Sequence, residues 1–179
     1  MHAVDSELDA SCGLLARLLT ATGRRLVLAE SCTADLVAAS LGRVPGISRH
    51  LCGSLVTYRD AAKTSWLGVP PLVLQRHTAV SEAVASLMAS GALAVTPEAD
   101  LAASVTGYLG PDAPPQQDGI IYVGLAERQP ETGEIAVVQV RPCQLISTLR
   151  LPRQREAARC VLALLQEYLE QRRQLKANA

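Results

Sequence analysis

The chain has 179 residues, enough for one domain with a sizeable core, and we read residues 1–179 as a single domain. Its 17 Lys and Arg balance its 17 Asp and Glu, and with no Phe and only 3% aromatic residues it offers neither the basic surface nor the stacking platforms of a nucleic-acid partner. No apolar run approaches the ~18–20 residues that cross a bilayer, and the opening stretch MHAVDSELDA lacks a basic region followed by an apolar one, so we expect a cytoplasmic protein with no membrane partner.

Leu8, Leu14, Leu15, Leu18 and Leu19 recur at helical spacing, and Gly23 is placed to end that helix. "RLVLAE" (Arg25–Glu30) reads as a short buried strand, and "TADLVAASLG" resumes a helical pattern with Thr33 as its cap. "LCGSLVTY" (Leu51–Tyr58) is a second strand, followed by "RDAAKTSWLG", a short helix capped by Asp60, ended by Gly68 and carrying Lys63 in its first turn. "SEAVASLMASGALAV" (Ser81–Val95) is a long helix with a Ser cap, and "DLAASV" (Asp100–Val105) is a buried strand. A loop dense in Gly and Pro, Gly107–Gly119, precedes the extended runs "IIYVGLA" and "IAVVQVR", which form a hairpin around "PETGE". A helix from about Pro152 to Gln174 and a polar tail close the chain. Alternating strands and helices with one hairpin predict a three-layer α/β/α fold, a mixed sheet covered on both faces.

Five cysteines (Cys12, Cys32, Cys52, Cys143, Cys160) occur without a C-x-x-C pair, so reduced, mostly buried thiols are expected, with neither a zinc site nor a disulfide framework. Ser31 stands where β-strand passes into helix, a position that exposes a hydroxyl beside backbone N–H groups able to hold an oxyanion. The plain alternative is that Ser31 or Thr33 caps the helix. Cys32 is a second candidate nucleophile, although a buried cysteine behaves as a small hydrophobe. His2, His50 and His77 suggest no triad, which leaves lysine as the base. An ammonium at the positive end of a helix dipole is disfavoured, so Lys63 is expected to have a lowered pKa, with Tyr58 close enough in sequence to share its site. A solvated surface lysine is the alternative.

"AESCT" (Ala29–Thr33), "VPGIS" (Val44–Ser48), "LVTYRDAAKTSWLGV" (Leu55–Val69), "AVSEAV" (Ala79–Val84) and "VTGYLGPD" (Val105–Asp112) fall in the order and spacing of the CinA C-terminal domain family, which the chain resembles over nearly its whole length. "LPRQREAAR" (Leu151–Arg159) resembles that family's F-x-G-D-R-x-x-V-R segment and matches Arg155 and Arg159 to its two arginines. The family's characterised members convert nicotinamide mononucleotide and water to nicotinate mononucleotide and ammonia. The resemblance therefore implies a serine amidohydrolase of pyridine nucleotide salvage, with Ser31 as nucleophile, Lys63 as base and Tyr58 as their companion. It further implies Thr33, Thr106, Gly107, Arg155 and Arg159 as contacts to a small-molecule nucleotide substrate. No cofactor and no metal are expected, and a homo-oligomer is.

The chain departs from the family pattern at several points. "ESCTGG" becomes Ala34 and Asp35 after Thr33, "Y-S-N-x-A-K" carries Arg59 and Asp60, and the loop that resembles "TGIAGPGGG" carries Ala113, Pro114 and Pro115. "PVGT" becomes "QDGI" ending at Ile120, and the final segment carries Arg153 and Gln154 in place of Gly and Asp. If a phosphate docks at the N-terminus of the predicted Thr33–Leu41 helix, Asp35 repels it. A paralogue that binds a nucleotide or protein without turnover is thus the second functional reading.

Overall fold

In a computed structural model, which describes residues 3–177, the elements run α1 (Ala3–Thr22), β1 (Leu26–Glu30), α2 (Leu36–Leu41), β2 (Leu51–Val56), α3 (Asp60–Leu67), α4 (Pro71–His77), α5 (Glu82–Val95), β3 (Leu101–Gly107), β4 (Ile120–Arg128), β5 (Ile135–Gln144) and α6 (Arg150–Ala177). His2 lies outside the described residues. The sheet order is β2-β1-β3-β4-β5. β1 is parallel to β2 and β3, while β4 and β5 form the expected antiparallel hairpin at one edge. β1 is buried along its whole length because it is central and covered on both faces, which explains its uninterrupted apolar run.

Two apolar clusters fill the layers. Leu15 and Leu19 of α1, Val37 and Leu41 of α2, and Val161, Leu162 and Leu165 of α6 pack on one face against Leu26, Leu28, Val123 and Leu125. Leu67 of α3 and Val84, Met88 and Leu93 of α5 pack on the other against Val27, Ala29 and Ala102. Among the described residues no helix is long and apolar enough to cross a membrane.

The structure differs from the sequence-based reading at several places; at the start of α3, Asp60 is the first helical residue and makes no cap bond, with Arg59 at the cap position. α2 starts at Leu36 and not at Thr33, because Ala34 and Asp35 both adopt left-handed backbone (φ 51° and 75°) and cannot belong to it. α4 escapes a periodicity argument since none of its residues is buried, and Pro71 at its first position is the cue that remains. α6 begins two residues earlier than predicted, at Arg150.

The strands position the site. β1 leads to α2 on one face and its neighbour β2 leads to α3 on the other, so the crevice beyond their carboxyl ends is where such folds bind ligands. The height of α3 in that crevice is set by Gly91 of α5: a Cβ there would sit 2.1 Å from the Leu67 carbonyl oxygen. Gly91→Ala is expected to destabilise the protein by about 1–3 kcal/mol in urea unfolding, the usual cost of overpacking. It should also draw α3, and with it Lys63, away from β1.

Candidate active site

The pentapeptide "AESCT" (Ala29–Thr33) divides its labour. Glu30, at the end of β1, is 1% exposed, and its carboxylate would be costly there without partners. Its Oε2 accepts from the Thr33 hydroxyl at 2.7 Å and the Val37 N–H at 3.1 Å, and its Oε1 accepts from the Ala38 N–H at 2.9 Å. Burial pushes the Glu30 pKa up while these donors oppose it. Glu30 therefore caps α2, a role missed in the sequence although a carboxylate ending a buried strand signals it. Thr33 is buried with its hydroxyl committed to Glu30, and it does not line the cavity.

This corrects the expectation that the start of this helix receives an anion. The Leu36 N–H at the start of α2 donates to the Thr33 carbonyl, those of Val37 and Ala38 go to Glu30, and Asp35 precedes the helix. The backbone at residues 34 and 35 also gives a physical reason for the family's two glycines: both positions have positive φ, where a Cβ is strained. Ala34→Gly is thus expected to stabilise the fold by about 0.5–1 kcal/mol, with relief of strain outweighing the entropy of a new glycine. A higher thermal midpoint for the Ala34→Gly protein checks this.

Cys32 is 5% exposed, and burial pushes its thiol up to about 12, so it holds its proton and packs as an apolar group. Ser31, between these two, is the residue that meets a base. The Lys63 Nζ lies 3.2 Å from the Ser31 Oγ and 2.9 Å from the Thr57 carbonyl oxygen, with the Tyr58 carbonyl at 3.5 Å. Lys63 is 1% exposed, one of the largest fully buried side chains. Its pKa is lowered by burial, and Asp60, whose carboxylate is 3.9 Å away and well exposed, opposes the shift. Desolvation, and not the helix dipole invoked from sequence, is the leading cause. A neutral amine has two N–H groups and one lone pair. As an ammonium Lys63 donates to Ser31 and to both carbonyls; once neutral, it can keep the two carbonyls on its N–H groups and turn its lone pair to the Ser31 hydroxyl proton.

These side chains open into a cavity of about 250 Å3 whose lining includes Ser31, Cys32, Tyr58, Lys63, Thr106, Gly107 and Arg150. Thr106 donates to the Ala79 carbonyl at 2.8 Å and so fixes the far wall. At Gly107 a Cβ would fall 2.3 Å from Ile121 Cγ2, so packing against β4 explains this glycine. Tyr58 is half exposed, and its hydroxyl accepts from Arg150 at 2.6 Å, pointing away from a direct bond to Lys63.

Arg150 also donates to the Gly110 carbonyl at 2.8 Å, spanning the cavity mouth. It went unnoticed in the sequence, where nothing local distinguishes the first residue of a helix from the linker before it. Of the two arginines expected to bind substrate, Arg159 is paired with Glu7 at 2.5 Å on the α1 side, and neither it nor Arg155 lines the cavity. Arg153, which stands in place of a glycine, makes a bidentate bond to Asp118 at 2.7 and 2.6 Å and ties the Gly107–Gly119 loop to α6. Among the described residues no cluster of His, Cys, Asp and Glu has the form of a metal site.

A family model for the CinA C-terminal domain matches residues 9–169. A CinA-like protein of Mycobacterium tuberculosis (strain H37Ra) is 50% identical over 111 residues, 62% of this chain and 25% of that protein. One from Myxococcus xanthus (strain DK1622) is 41% identical over 131 residues, 70% of this chain and 30% of its own length. The chain thus spans about a quarter of the mycobacterial relative. Among solved structures, the competence damage-inducible protein A (ComA) from Klebsiella pneumoniae is similar with a TM-score of 0.82 and 32% identity, over 91% of this chain and 97% of that one. The competence/damage inducible protein CihA from Agrobacterium tumefaciens gives 0.81 and 27%, over 91% and 95%.

Proposed function

The chain belongs to the CinA C-terminal domain family, and on that premise we propose that it is a serine amidohydrolase that releases ammonia from nicotinamide mononucleotide or a related nucleotide amide. The observation that carries this reading is the buried Lys63 amine, with its pKa lowered, set 3.2 Å from the Ser31 hydroxyl at the floor of a cavity. A buried lysine is expensive unless it serves a purpose, and a neutral one is a competent base.

In this mechanism the Ser31 Oγ attacks the carboxamide carbon as Lys63 takes the hydroxyl proton. The resulting oxyanion is held by backbone N–H groups of the turn after Ser31, since those of Val37 and Ala38 already serve Glu30. Collapse of the tetrahedral adduct breaks the C–N bond, and Lys63 returns its proton to the departing ammonia. A water, deprotonated by Lys63, then cleaves the Ser31 ester to give the carboxylate and regenerate the hydroxyl. Tyr58 serves by holding Arg150, and Arg150 takes the anion-binding role that the sequence assigned to Arg155 and Arg159.

Arg150→Ala is accordingly expected to raise KM for the nucleotide about tenfold or more, the loss of one charge-assisted contact, with a smaller change in kcat. The experiment that tests the function is incubation of purified protein with nicotinamide mononucleotide, following ammonia and nicotinate mononucleotide together. The rival reading, binding without turnover, draws on Arg150 lying across the mouth and predicts saturable binding with no ammonia.

A further inference from the structure

Cys143 and Cys160 lie far apart in sequence and outside the site described above, one near the end of β5 and the other on α6. Two sets of contacts on either side of them fix how strand and helix face each other. Arg141, two residues before Cys143 and so on the same face of β5, makes a bidentate bond to Glu167 at 3.1 and 2.6 Å. Glu167 and Cys160 are two helical turns apart on one side of α6. Beyond the strand's end, the Ile146 N–H donates to Glu156 at 2.8 Å and the Ser147 N–H at 3.1 Å. Cys143 lies between these anchors on the strand side and Cys160 lies between them on the helix side. The two thiols therefore face the same strand–helix seam, and each is the leading influence on the other's titration.

Both residues are half-buried with free thiols, and both pack at the margin of the same apolar cluster. The neighbouring Cys160 thiol, and then Arg141, bring the Cys143 thiol down to about 7 against burial and Glu167, while Cys143, burial and Glu156 push Cys160 up, with Arg159 opposing. Such an asymmetric pair has one sulfur ready to attack and another positioned to resolve.

We propose that Cys143 and Cys160 are a redox modification site, oxidised to an intramolecular disulfide by low-molecular-weight disulfides of the glutathione class. The Cys143 thiolate attacks one sulfur of the oxidant, forming a mixed disulfide and expelling one thiolate of the small molecule. Cys160, giving up its proton, attacks the Cys143 sulfur and expels the second. Two protein thiols are oxidised to one disulfide, and one small disulfide is reduced to two thiols. The bond would close the chain around Gln144–Arg159, the segment that carries Arg150 to the cavity mouth, so oxidation fixes that corner covalently.

Full-length protein treated with oxidised glutathione under native conditions, then alkylated and digested, reads the bond directly. The expected product has lost two hydrogens, carries a single Cys143–Cys160 cross-link and no glutathione, unfolds at a higher temperature, and reverts with dithiothreitol. Cys160→Ser should stop at a glutathione adduct on Cys143, while Cys143→Ser should leave Cys160 unmodified. A glutathione adduct that persists on Cys143 of the unaltered protein, or oxidation that falls first on Cys52, overturns the proposal. Alkylation of the unaltered protein by iodoacetamide at neutral pH gives a check that needs no variant: Cys143 should react faster than Cys52 and Cys160, and the reverse order contradicts it.

Discussion

If the chain is the amidohydrolase proposed, Ser31→Ala should lower amide hydrolysis by at least about a thousandfold while leaving the unfolding midpoint within a degree or two, because it removes the proposed nucleophile and little else. The Ser31 side chain holds no backbone element in place. Its contact is with the Lys63 amine, and its own N–H, bonded to the Val105 carbonyl at 3.0 Å, survives the substitution. Cys32→Ala serves as the comparison. It deletes a buried thiol beside the site, so it should cost some stability as a small cavity and leave most of the activity. Activity that survives Ser31→Ala and disappears in Cys32→Ala would reverse the assignment.

Lys63→Arg should be as damaging as Lys63→Ala, since a guanidinium keeps its proton and is too large for a site where lysine is already 1% exposed. In the unaltered protein kcat/KM should rise as pH climbs through the lowered lysine pKa and then level, as expected of a base that must be neutral to act. The same shift affects stability. Between the folded pKa and the ordinary value of 10.5 the unfolded chain holds a proton that the folded chain does not, so stability rises with pH across that window. Lys63→Met, which keeps the apolar stem, should remove this slope. Parallel urea titrations at neutral and alkaline pH check it, and equal slopes for the two proteins would mean that Lys63 is not held neutral by the fold.

How far these features were legible depended on whether their cause was local. The strand, turn and helix around Ser31 came from a buried apolar run followed by helical periodicity, and the Asp60–Leu67 helix from its own pattern and Gly68. The order of motifs then tied Ser31, Tyr58 and Lys63 together. Contacts between distant segments left no local trace: the Arg150 bridge from α6 to Tyr58 and Gly110, the Arg153 clamp on Asp118, and the closeness of Cys143 to Cys160. The stretch after Ser31 was misread because Ala34 and Asp35 fit a helical pattern by composition, while in the structure both have left-handed backbone and Glu30, more distant in sequence, caps α2. Arg159 illustrates the reverse case: its position in a motif suggested a ligand, and its partner is Glu7.

In the proposed mechanism Ser31, activated by Lys63, forms an ester with the acyl group of its substrate. Acid-quenched mixing of the protein with nicotinamide mononucleotide, followed by mass analysis of the peptide that contains both Ser31 and Cys32, tests it most directly. A nicotinoyl-nucleotide adduct on Ser31 should appear before steady state and be absent from Ser31→Ala. An adduct on Cys32, or turnover by the Ser31→Ala protein, would contradict it.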